Sequence, residues 1–188
     1  MSKRVALFAV LLFPLQAATA QREVGVDLGV AVATGRLASA RSIGPSAALS
    51  VGFGNGDRGV GTRVDLAWQR IFGDSPPPPT RVSTLYDDYS AYSARGSIVF
   101  TLRDGQVRPY TLLGAGAYRL AVEGFWNPHG LTPSKLTPGV HVGLGVRVST
   151  ELAELAVEAQ AVALVTSYGI GEFNWPVTYV PVSVGVRF

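Results

Sequence analysis

The chain of 188 residues contains no cysteine, so neither a disulfide framework nor a lipid-modified cysteine anchor is available to it. Charge is scarce as well: 15% of residues are charged, against about 25% in ordinary soluble domains. Two separated histidines with no cysteine make no metal site, and no glycine-rich segment opens a helix as a nucleotide loop requires. After the first twenty residues no apolar run reaches the roughly 18 positions a membrane helix needs. Yet 47% of residues are hydrophobic, mean hydropathy is +0.26, and 22 are glycine. That is too apolar for a disordered chain. An apolar chain with no apolar helix implies a transmembrane β-barrel.

The N-terminus has the layout of a cleaved export signal. Lys3 and Arg4 are followed by an apolar run from Val5 to Leu15 and then by Ala18-Thr19-Ala20, a small-x-small cleavage pattern. The expectation is a signal peptide over 1–20 and one barrel domain over 21–188. Cleavage would leave 14 basic and 13 acidic side chains, a net charge of +1, so nothing calls for nucleic acid as a partner. One lysine, Lys135, would survive it.

Beyond Gln21, apolar residues alternate with small or polar ones, the period-2 pattern of strands with two different faces. Val24-Val26-Leu28-Val30-Val32, Val140-Val142-Leu144-Val146-Val148 and Val180-Val182-Val184-Val186-Phe188 are the clearest runs. Shorter runs start at Ala47, Val60 and Tyr92. Two further strands, around 108–123 and 154–166, leave their phase open. Eight strands result. Turn-forming residues at Asn55-Gly56-Asp57, Asp104-Gly105-Gln106 and Ser149-Thr150-Glu151 give short connections. Longer ones cover 35–44, 73–86, 124–138 and 167–177, and the second holds four consecutive prolines that cannot lie inside a sheet. Short turns at one end and long loops at the other describe an outer-membrane barrel with both termini in the periplasm.

Three features set the apolar face toward lipid rather than inward, as a soluble lipocalin-like carrier would have it. The opposite face is mostly Gly, Ala and Ser, whereas water-facing strands usually carry dense Lys and Glu. Its charges, Asp27, Arg63, Asp65, Arg95, Arg147, Glu158 and Arg187, could neutralise one another, with Arg119 and Glu123 added if their strand keeps phase. Arg147 and Glu158 flank one turn and could pair across it. Aromatics fall at strand ends, with Trp68, Tyr92 and Tyr118 near the loops and Phe53, Phe100, Tyr110 and Phe188 near the turns, as two interfacial girdles would.

These residues resemble the small outer-membrane β-barrels of Gram-negative bacteria, the group that includes the membrane domain of outer-membrane protein A and outer-membrane protein X. The resemblance covers the whole mature chain and is most specific in the last strand, Tyr179-Val180-Pro181-Val182-Ser183-Val184-Gly185-Val186-Arg187-Phe188. It implies an all-β, eight-stranded antiparallel up-and-down transmembrane barrel, with Phe188 read by the outer-membrane insertion machinery. Val186 stands where that signal often has a second aromatic. The lipid A deacylase among such barrels places His and Ser two residues apart, but here Gly143 follows His141 at that spacing. No enzymatic activity and no cofactor are therefore expected.

The expected role is structural or interactive, with outer-membrane lipid and lipopolysaccharide as surroundings. Phe125-Trp126 and Phe173-Asn174-Trp175 place aromatics in the last two long loops, where they could contact a surface partner. A narrow pore or transporter for small solutes is the alternative, with a soluble periplasmic carrier behind it.

Overall fold

A computed structural model describes residues 22–34, 43–54, 59–72, 88–123, 134–167 and 176–188. The proposed signal peptide and the loop aromatics Phe125, Trp126, Phe173 and Trp175 lie outside the described residues. Eight strands follow in order: β1 Arg22–Thr34, β2 Ile43–Gly54, β3 Gly59–Ile71, β4 Asp88–Thr101, β5 Val107–Glu123, β6 Ser134–Ser149, β7 Glu154–Ser167 and β8 Pro176–Arg187. Each pairs antiparallel with the next, and β1 pairs with β8 to close the barrel. Closure leaves no open sheet edge. The last residue completes it, because Phe188 exchanges two main-chain hydrogen bonds with Val24, at 2.9 and 3.0 Å.

The alternation seen in the sequence becomes two walls. Outside stand large apolar side chains, among them Leu28 at 66% exposure, Leu66 at 60% and Leu144 at 67%. Inside lie Arg63, Asp65 and Arg187, each at most 2% exposed. A water-soluble protein distributes these residue types the other way. Trp68 and Tyr92 face outward near the loop end, and Phe53, Phe100 and Phe188 near the turn end. Tyr92 and Phe100 lie eight residues apart on β4. With a usual strand tilt that separates them by about 20 Å across the barrel, close to the apolar thickness of an outer membrane.

The two phases left open by the sequence are decided by register. On β7, Ala156, Glu158 and Gln160 point inward and Leu155 and Val157 outward. On β5 the inward set is Arg108, Tyr110, Leu112, Tyr118 and Leu120. Tyr110 and Tyr118 are therefore interior residues, at 1% and 0% exposure, and not girdle aromatics. Glycines on β6 make room for both rings. A Cβ at Gly145 would collide with the Tyr110 ring, and one at Gly139 would lie 2.7 Å from a Tyr118 ring carbon. The same phase sends Arg119 to the outside. β6 also starts at Ser134, earlier than the expected loop boundary at 138. Pro138 sits within it, facing outward opposite Ala117.

The loop end of the interior is apolar, which the charged mid-section did not foreshadow. Ala31, Ala33, Ile71, Ala91, Tyr118, Leu120, Val162, Leu164, Val177 and Tyr179 form one buried cluster there. The buried charges thus keep to the middle and the turn end, while the uncharged Gln69, Ser90 and Thr137 are the buried polar residues beside the apolar cluster.

Candidate functional site

The charged interior is built from every strand except β2, and its members meet because inward positions recur at every second residue. Two groups form. At the centre, Arg63 on β3 makes a two-pronged hydrogen bond to Glu158 on β7, at 2.7 and 2.8 Å. Its Nε lies 3.0 Å from Asp65. Glu158 also accepts from the Tyr110 hydroxyl and from the Gln160 amide, both at 2.5 Å. Arg95 on β4 is directly opposite Asp65 in the sheet and donates to Gln160 Oε1 at 2.7 Å. Its guanidinium is 4.0 Å from Asp65.

Nearer the turn end, Glu23 bridges Arg147 at 2.7 Å and Arg187 at 3.3 Å. Arg187 also donates to Asp27 at 2.7 Å. Arg108 binds Glu154 and donates to Ser149 Oγ at 2.7 Å. The groups touch through Tyr110, whose ring carries the Arg147 guanidinium 4.8 Å from its centroid while its hydroxyl holds Glu158. Every inward arginine named here has an acidic partner, as burial in low dielectric demands.

All seven charged positions singled out from the sequence line this interior, but one pairing is corrected. Arg147 binds Glu23, and Glu158 belongs to Arg63. In the β6–β7 register Glu158 faces Gly145, while Arg147 faces Ala156. Glu158 therefore sits one inward step deeper than Arg147. Sequence reasoning missed Glu23, Arg108 and Gln160 and set Tyr110 in the turn-end girdle, although Glu23 shares the odd-numbered inward phase of Asp27 on β1.

His141 lies deeper toward the loop end, with Ser97 Oγ 2.8 Å from Nε2 and the Tyr118 hydroxyl 3.4 Å from Nδ1. It is 2% exposed and no carboxylate orients it among the described residues. A hydroxyl beside an imidazole is half of a nucleophilic arrangement. Here it is closed in by side chains. No group of three His, Cys, Asp or Glu that could hold a metal ion occurs among the described residues.

Space is distributed unevenly. A cavity of about 290 Å³ opens at the turn end, bordered by Glu23, Thr101, Arg147, Ser149, Glu154 and Arg187. Beyond it, a gap of about 20 Å³ lies among Asp27, Arg63, Asp65, Arg95 and Glu158, room for roughly one water. Further on stands the apolar cluster. Among the described residues the turn-end cavity is therefore a vestibule that ends at ion pairs, with packed rings beyond them.

No protein-family model matches the chain, and no curated protein matches it. Among solved structures it is similar to Neisserial surface protein A, with 21% identity over 90% of this chain and 98% of that one, at a TM-score of 0.62. It also aligns with the outer membrane protein Ail of Yersinia pestis, at 17% identity over 89% of this chain and all of that one, with a TM-score of 0.46. A closed eight-stranded antiparallel barrel, apolar outside and ion-paired inside, gives this chain the fold of the small outer-membrane β-barrel proteins.

Proposed function

We propose that the protein is an integral outer-membrane barrel with a structural or surface-interaction role, delivered by a cleaved signal and not catalytic. The observation that carries the reading is the inversion of polarity: leucines and valines stand exposed while eight charged side chains are buried and paired among the described residues. Only a lipid exterior stabilises that distribution over its reverse. A soluble carrier would need the faces exchanged and an apolar cavity. The loop-end apolar residues instead pack against one another. Orientation follows the usual rule, with short turns and both termini in the periplasm and the long connections at the cell surface.

The interior is the scaffold of this role. Its ion pairs tie β3 to β7 and β6 to β1 across the lumen, holding a rigid frame beneath the surface connections. Insertion would use Phe188, whose ring is exposed while its main chain is locked to β1. The loop aromatics Phe125, Trp126, Phe173 and Trp175 are the proposed contact points for a surface partner. Replacing Trp126 and Trp175 with Ser should lower surface binding while leaving the barrel folded. The test of the whole reading is gel mobility of the membrane-extracted protein with and without boiling in detergent. A heat-dependent shift in the outer-membrane fraction is expected. A soluble periplasmic protein with no shift would overturn it. A narrow pore is the second reading, favoured by the turn-end vestibule alone; planar-bilayer recording should show no steady conductance, since the vestibule ends at the Arg63–Glu158 pair.

A further inference from the structure

Pro181 lies buried inside β8, opposite Ala31 on β1. The end of the strand shows which neighbour its missing N–H would have served. Phe188 exchanges both main-chain hydrogen bonds with Val24 on β1. Hydrogen-bonded pairs alternate along an antiparallel strand, so even-numbered residues of β8 bond to β1 and odd-numbered ones to β7. The N–H that proline lacks is therefore the one that would reach the Gln160 carbonyl on β7. The ladder agrees: Ala159–Val182 and Val162–Tyr179 are paired, while the rungs between them, Gln160–Pro181 and Ala161–Val180, are missing. Beyond Ala163–Thr178 the register slips before Ser167 meets Pro176. The flanking ladders run unbroken, β6–β7 from Gly139–Leu164 to Ser149–Glu154 and β1–β8 from Gly25–Arg187 to Thr34–Thr178. Pro45, Pro109 and Pro138 keep their rungs with Val30, Val146 and Ala117.

What stands behind each half of this seam differs. Toward the turn end, Glu158 is ion-paired with Arg63, and parting the strands there would set charged groups against lipid. Toward the loop end, the inward residues Val162, Leu164, Val177 and Tyr179 belong to the apolar cluster, with Ala31 and Ala33 beside them. Parting β7 from β8 there sets apolar side chains against acyl chains, which costs little desolvation. Main-chain hydrogen bonds hold a wall closed in lipid, because no water replaces them. This stretch lacks some of them.

We infer that the loop-end half of the β7–β8 seam is a lateral opening in the barrel wall, set by Pro181, that joins the apolar interior to the membrane core. The inference rests on the lipid exterior argued under "Proposed function". Opening leaves the Arg63–Glu158 pair and the β1–β8 closure in place. It is a local excursion of one wall, low in free energy beside unfolding of the barrel.

The test is amide-nitrogen relaxation dispersion on the full chain in phosphatidylcholine nanodiscs, which reads microsecond-to-millisecond exchange whether or not water reaches the site. Val162, Ala163, Thr178 and Tyr179 should show exchange, while Ala67 and Ser93, paired in the loop-end half of β3–β4, should not. Pro181→Val supplies the missing donor and should lower the open population about fivefold, the worth of one ladder bond. Pro45→Val, at a proline whose rung is formed, should leave it unchanged. The chain has no cysteine, so a disulfide across Ala161→Cys and Val180→Cys, both outward in a missing rung, can staple the seam. Exchange should vanish on oxidation and return on reduction. No exchange at the four seam amides of wild type, equal exchange at Ala67 and Ser93, or exchange that survives the staple would each overturn the opening. So would an unchanged open population in a folded Pro181→Val. Gel mobility of the same samples separates the two readings: a wild-type chain with no heat-dependent shift would overturn the membrane reading, and the opening with it.

Discussion

Removing the Glu158 carboxylate tests the interior most directly. In Glu158→Leu the Arg63 guanidinium loses both short contacts and keeps Asp65 at 3.0 Å, while Tyr110 and Gln160 lose their shared acceptor. Breaking one side of a buried ion pair costs about 3–5 kcal/mol, because the other charge remains desolvated. Lost acceptors add about 1 kcal/mol each where no other partner is reached. Removing both charges should behave differently. Arg63→Met with Glu158→Leu leaves the net interior charge unchanged, and Asp65 retains Arg95. The double variant should be more stable than Glu158→Leu, with a coupling energy of at least about 2 kcal/mol. Urea unfolding of the vesicle-inserted barrel, followed by tryptophan fluorescence, measures all four corners of the cycle. Additive effects, or a Glu158→Leu cost under about 1 kcal/mol, the range of ordinary surface changes, would refute the view that this pair holds the lumen.

Three further outcomes follow from the geometry. Charge reversal at Arg147 should destabilise the barrel by about 2–4 kcal/mol and be partly rescued by Glu23→Arg but not by Glu158→Arg; thermal unfolding in detergent reads the difference, and equal rescue by both would reject the observed pairing. Phe188→Ala should leave the inserted barrel within about 1 kcal/mol of wild type, since its tie to Val24 is main chain, while outer-membrane yield falls; pulse-labelling of cells against unfolding in vitro separates the two effects. Val142→Arg, outward in the middle of β6, should cost about 2–4 kcal/mol in a bilayer and far less in micelles that can rearrange around it, a contrast that paired unfolding titrations would show or exclude.

Much of this architecture is legible in single strands. Side chains alternate with a period of two, so Val24 through Val32 or Val140 through Val148 name their own outward face without reference to any neighbour. Scarce lysine and a small-residue opposite face then say that the apolar wall meets lipid. β5 resisted because Leu112 and Leu113 are adjacent and Gly114 and Gly116 have no side chain to place. Its phase is decided by what it pairs with: Tyr110 can turn inward because Gly145 stands beside it on β6.

The amino-acid sequence alone determined strand number, the two-walled pattern, seven of the charges that share the interior and the alternation of short and long connections. All of these are local, carried by periodicity and turn chemistry within about a dozen residues. Partner choice among the buried charges belonged to the tertiary structure. Arg63 meets Glu158 across 95 positions of sequence and Arg147 meets Glu23 across 124, from strands that are not neighbours in the sheet. Closing the sheet brings those strands face to face, and register sets the depth at which each side chain enters. The apolar cluster at the loop end arose the same way, from inward residues of six strands, none of which carries enough apolar side chains to announce it.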